Sequence, residues 1–178
     1  MRYESIADIY SANEKIREKF LATLSTISPN EATALPEGEK WSIQQIAEHV
    51  SMVDNGAARI CAKLLGAAKA AGVPSNGFAL STEFGEKTVA VAGIKVEAPE
   101  RVHPTGEVTI ADAVDRMTAN RPSFDAMRDD LERYDLSDSK FPHPFFGDMT
   151  AAEWLVVAGG HEMRHTMQIE RILDRIRQ

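Results

Sequence analysis

The chain has 178 residues, of which 43% are hydrophobic and 26% charged, an ordinary globular balance that fits one domain over residues 1–178. Its formal net charge of -7 argues against a general nucleic-acid binder, which needs a basic face, and against adhesion to an anionic membrane. A single cysteine, Cys61, rules out an internal disulfide framework, and no run of about 18 apolar residues is present to span a bilayer.

The opening stretch MRYESIADIYSANEKI spaces its charges throughout and lacks the apolar core of a signal peptide, so the expected compartment is the cytoplasm. Ile6, Ile9, Asn13, Ile16, Phe20, Leu24 and Ile27 then recur at steps of three and four, predicting an amphipathic helix near 3–27. Ser42 followed by Gln45 is a capping box, with Trp41 and Ile46 placed as a hydrophobic staple. It opens a second helix near 42–71, whose stripe is Ile46, His49, Val53, Ala57, Ile60 and Leu64. Cys61 lies with Ala57, Ile60 and Leu64 on an apolar stripe and reads as a small core residue, since a thiol in apolar surroundings stays protonated. The connection from about 72 to 108 is long and rich in glycine and proline. Within it Thr88 to Val96 is β-rich and predicts a short strand or extended flap.

Thr109 with Asp112 caps a third helix near 109–135, carrying Ala113, Met117, Asn120, Phe124, Met127, Leu131 and Tyr134. Pro122 should kink or divide it. Thr150 with Glu153 caps a fourth helix near 150–177, with Met149 and Trp154 as its staple. Its stripe runs Trp154, Ala158, His161, His165, Ile169, Ile172 and Ile176. The pattern is an all-α four-helix bundle, and the long connection between helices two and three lets those two run the same way.

His161 and His165 lie one turn apart on the face expected to be buried. Two neutral imidazoles so placed can share one ion, and His49 is the only histidine on another core stripe. Three imidazoles suit Zn, Ni, Fe or Cu and leave room for water or substrate. A lone histidine on an apolar face is more often a hydrogen-bonded core residue, and that reading stands beside the metal one for His49. His161-Glu162-Met163-Arg164-His165 also fits the H-E-x-x-H helix of zinc metallopeptidases, with Glu162 as general base. No further histidine follows His165, so the extended form of that motif is absent, and the peptidase stands as a minor alternative.

Trp41-Ser42 with Ile46 and His49, and the run HPFFGDMTAAEWLVVAGGHEMRHTMQIERIL over 143–173, together resemble the DinB/YfiT-like family. The resemblance implies a four-helix bundle of up-down-down-up order, commonly a homodimer. It implies a three-histidine site at His49, His161 and His165 for a divalent ion such as Zn, Ni or Fe. Some relatives use such sites for thiol-dependent transfer or isomerisation. The expected function is therefore a divalent-metal-dependent enzyme, a thiol S-transferase or hydrolase, acting on a small molecule with a low-molecular-weight thiol as partner. The alternative is a non-catalytic metal-binding or structural dimer. Glu162 is the candidate catalytic base, weighed against a plain helix-helix carboxylate. Arg164 and Gln168 are candidates to orient a substrate anion or a ligand ring, or simply to solvate the helix. His143 reads as loop packing rather than a ligand-supporting group, and His103 carries no assigned role.

Overall fold

Serine and threonine hydroxyls set the helix starts. In the computed structural model, which describes residues 3–91 and 97–178, α1 spans Ile6–Ser25, α2 Pro29–Thr33, α3 Ile43–Ala71 and α4 Thr82–Val91. Then follow α5 over Ile110–Asp125, α6 over Arg128–Arg133, and α7 over Ala151–Ile176. All three expected capping boxes form. The returning bond to the cap N–H shows the weakness expected of the shorter aspartate: 3.3 Å to Asp112, against 3.0 Å to Gln45 and 2.8 Å to Glu153. A fourth box, Ser28 with Glu31, starts the short α2.

α7 packs against α1 and α3, and α3 packs against α5, giving an all-α four-helix bundle in which α5 and α6 together make one unit. That unit is divided, as Pro122 predicts. The proline stands inside α5, where it removes a helix hydrogen bond, and the helix ends at Asp125 before α6 resumes at Arg128. The long connection departs from expectation. Thr82–Val91 is helical, so the β-rich reading fails for residues 88–91, while 92–96 lie outside the described residues. Phe84 is buried in the core, and Ser81 donates from both its N–H and its hydroxyl to Glu153, so tertiary contacts override the local β preference of Thr88 and Val89. A short hairpin, β1 (Phe141–His143) with β2 (Gly147–Met149), precedes α7.

The apolar core forms two clusters. One gathers Ile9, Cys61, Leu131, Met149 and Leu155; the other gathers Phe20, Ile43, Ile46, Met117, Ile169 and Ile172. Along α1, α3 and α7 the stretch between these groups is polar: Asn13 and Arg17, then Asp54, then His161, Glu162 and His165. The buried face of α3 is wider than its predicted stripe and takes in Ala47, Glu48, Val50, Asp54, Ala58 and Leu65. Cys61 is fully buried, and burial pushes its thiol up to about 12, consistent with an inert core residue.

Gly159 of α7 faces the Asn13 side chain of α1. A Cβ there would sit 2.0 Å from Asn13 Oδ1, whose amide donates to the Leu155 carbonyl at 3.0 Å. Gly159→Ala should therefore lower the melting temperature despite alanine's better helix propensity. In an Asn13→Ala background the same change should be stabilising. Thermal melts of the two single variants and the double test this coupling.

Candidate metal centre

His49 arrives from the second turn of α3, and His161 and His165 from one face of α7. One ligand atom from each ring can be chosen so that all three lie within 4.8 Å of one another. His49 Nε2 is 3.0 Å from His161 Nε2, and His165 Nε2 is 3.1 Å from the same atom. The outward nitrogens of two rings are committed. His49 Nδ1 donates to the Val102 carbonyl at 2.7 Å, and His165 Nδ1 donates to Gln168 Oε1 at 2.9 Å.

Those two bonds fix tautomers. With the proton on Nδ1, the Nε2 atoms of His49 and His165 both present bare lone pairs toward His161 Nε2. A neutral His161 carries at most one proton there, enough for one acceptor, and the Arg164 Nη2 donor stands at a long 3.5 Å from His165 Nε2. A cation among the three would satisfy all of them. A tetrahedral ion with Zn–N distances of about 2.05 Å holds its nitrogens roughly 3.3 Å apart, close to the two separations present. The donor set and its outer hydrogen bonds thus fit a divalent ion.

Electrostatics keep the rings neutral and ready to ligate. Burial lowers the His161 pKa far below its ordinary value, with His165 and His49 adding to the effect. Burial takes His165 to about 3, and it also lowers His49 against the opposing Val102 bond. The protein positions His49 from outside as well. Trp41 lies 4.8 Å from its ring, and the 103–107 segment is pinned to α3 by Glu48. Glu48 accepts from Thr105 N–H at 3.0 Å, Thr105 hydroxyl at 2.8 Å and Gly106 N–H at 2.8 Å. Burial opposes its ionisation, but these donors prevail and hold its pKa below the ordinary value.

Glu162, the candidate base, sits beside the cluster with its oxygens engaged. Arg17 Nε donates to Oε1 at 2.7 Å and Nη2 to Oε2 at 2.9 Å. Arg17 Nη2 also reaches Asp54 at 2.6 Å, and Asn120 donates to the other Asp54 oxygen at 2.7 Å. Desolvation works against the Arg17 charge, yet the two carboxylates outweigh it and raise its pKa. Burial pushes the Glu162 carboxyl up despite the guanidinium beside it. A cavity of about 10 Å³, enough for one water, is lined by Val50, Val53, Asp54, Ala158, His161 and Glu162.

Arg164 Nη2 lies 3.5 Å from His165 Nε2, and Gln168 takes the ring-orienting position proposed for it. His143 packs against Trp154 and Phe146 with ring centroids 5.1 and 4.8 Å away, the loop-packing role read from the sequence. His103 stands edge-on to Trp41 at 6.1 Å. The sequence reading missed Glu48, Arg17 and Asp54. A carboxylate next to His49 and an arginine one position past Ile16 were visible, but their partners lie 57 and 145 residues away.

The sequence profile of the DinB superfamily matches residues 12–169. The chain belongs to the DinB superfamily. This DinB protein is 26% identical to the uncharacterised protein YuaE of Bacillus subtilis strain 168 over 157 residues, covering 86% of this chain and 90% of YuaE. Its fold is similar to the crystal structure of TT2238, a four-helix bundle protein, with a TM-score of 0.59 and 19% identity, covering 93% of this chain and 98% of TT2238. The second of these speaks to fold alone. Among the described residues no helix is long and apolar enough to cross a membrane.

His143 makes the acid behaviour testable. Burial takes its pKa to about 4, below the value of the unfolded chain, so the unfolded state binds more protons between those values. The metal-free protein should lose stability as pH falls from about 6.5 toward 4. His143→Phe should flatten that loss; thermal melts at pH 7, 5.5 and 4.5 in EDTA read the difference.

Proposed function

We propose that this DinB protein is a divalent-metal-dependent enzyme whose ion is held by His49, His161 and His165, and that it is a thiol S-transferase or a hydrolase. The convergence of three Nε2 atoms, two of them with fixed tautomers, carries the reading. The donor set is the second support: structural zinc usually takes four protein ligands, whereas the cluster among the described residues has three. When bound, the ion would supply Lewis acidity and lower the pKa of a ligated thiol or water toward neutrality.

The chain's own residues orient and seclude. Val102 and Gln168 aim two of the rings, and Trp41 covers the His49 face. Glu162 could serve as a base only by giving up at least part of its forked bond to Arg17, so the structural carboxylate is the simpler role in this reading. The same bond counts against the metallopeptidase alternative. The non-catalytic metal-binding protein is the rival that experiment must exclude.

The decisive experiment is metal analysis of purified protein, followed by a screen of small thiols with electrophiles. Stoichiometric metal with thiol-dependent turnover that chelators stop supports the enzyme. Metal without turnover across the screen favours the rival. Gln168→Ala should weaken metal binding about 10- to 100-fold, measured by competition with a chelating dye, because it releases the His165 ring. Chelation should lower the melting temperature only modestly, since two apolar clusters hold the bundle without the ion. The expected homodimer of the 19.6 kDa chain belongs to this proposal and is checked by sedimentation.

A further inference from the structure

Building on that metal reading, we propose that the site takes a substrate bearing a carboxylate, and that Arg164 is the residue that recognises it. The observations are the position of the guanidinium and the absence of any acid to neutralise it. Arg164 Nη2 lies 3.5 Å from His165 Nε2, one of the three atoms that converge. Among the described residues Arg164 has no ion-pair partner, in a chain with 27 acidic residues. Arg17, Arg121, Arg171, Arg175 and Arg177 each meet a carboxylate within 4.0 Å; of the arginines without such a partner among the described residues, Arg164 is the one with a contact to the histidine cluster.

The carboxylates beside the ligand histidines in sequence are already committed: Glu162 turns both oxygens to Arg17, and Glu48 is filled by Thr105 and Gly106. The three ligand rings are neutral and add no negative charge. Arg164 is the permanently charged group that acts on all three. With an ion drawing on the His165 Nε2 lone pair, the guanidinium would lose its nearest acceptor while standing beside a dication. A substrate carboxylate would answer both charges. The planar fork of arginine matches it with paired hydrogen bonds, which a lysine cannot reproduce.

The test uses full-length protein loaded with Co(II), whose visible bands report the histidine site. Two length-matched thiols are titrated, 3-mercaptopropionate and 3-mercapto-1-propanol, each binding as thiolate with its proton passing to the buffer. The carboxylate-bearing thiol should bind about tenfold more tightly, the size of one charge-assisted hydrogen bond. Arg164→Gln should bring the ratio to within about twofold, and Arg164→Lys should keep part of it. The ratio is internal to each variant, so a change in cobalt affinity does not disturb it. Equal affinities, no response to either thiol, or a preference that Arg164→Gln retains would each overturn the proposal while leaving the metal reading standing. No Co(II) bands in the wild-type protein would instead sink the metal reading.

Discussion

Replacing His161 and His165 together with alanine should abolish stoichiometric binding of a divalent metal, as measured by elemental analysis after dialysis. A single imidazole cannot hold a first-row ion against water, and His49 would be alone. The fold should survive. The two rings lie between apolar clusters formed by other residues, and α7 retains Trp154, Leu155, Ile169 and Ile172 as its packing face. Losing the imidazoles also removes two groups that burial disfavours as cations, so acid stability should improve. Unchanged metal content in a helical double variant would show that the ion binds elsewhere. A single His49→Ala should weaken binding without erasing the α7 pair, separating the contribution of α3 from that of α7.

The parts of this fold that sequence disclosed are those whose physics is local. Ser42, Thr109 and Thr150 announce helix starts because each cap and its partner are three residues apart. His161 and His165 share a face for the same reason, since one helical turn fixes it. His49 required only that its stripe face the same core. α4 escaped because its β-branched Thr88 and Val89 argue locally for a strand, and what holds the segment is Ser81 reaching Glu153, 72 residues away. α2 escaped because five residues are too few to show a period. The larger omission is the polar layer. The local motif reads Glu162 as a zinc-site base, whereas its bond to Arg17 is set by how α1 and α7 cross. Asn13 and Asn120, lying on apolar stripes, were the signal: a polar residue on each of two core faces at similar depth points to a buried network.

That network makes Arg17→Ala the most destabilising single change expected. The side chains of Asp54 and Glu162 are only 8% and 7% exposed, and among the described residues Arg17 is the cation paired with both. Removing it strands two buried carboxylates, a cost of about 3–5 kcal/mol. For a chain of this size that is a fall of roughly 6–20 °C in melting temperature. Burial already raises the Glu162 pKa, and without Arg17 only the weaker influence of Arg121 opposes that rise. The folded variant then binds protons more readily than the unfolded chain, so its deficit should shrink as pH falls from 7.5 to 5, the reverse of the His143 effect. Neutralising the whole set with Arg17→Met, Asp54→Asn and Glu162→Gln should recover most of the loss, because a buried ion group costs desolvation that its Coulomb attraction barely repays. A deficit under about 1 kcal/mol in Arg17→Ala, or one that grows on acidification, would mean that water reaches the carboxylates and that the layer is not a closed ion network. The same series bears on chemistry: if Glu162 serves only to hold α7 to α1, the triple variant should keep its metal and its thiol binding.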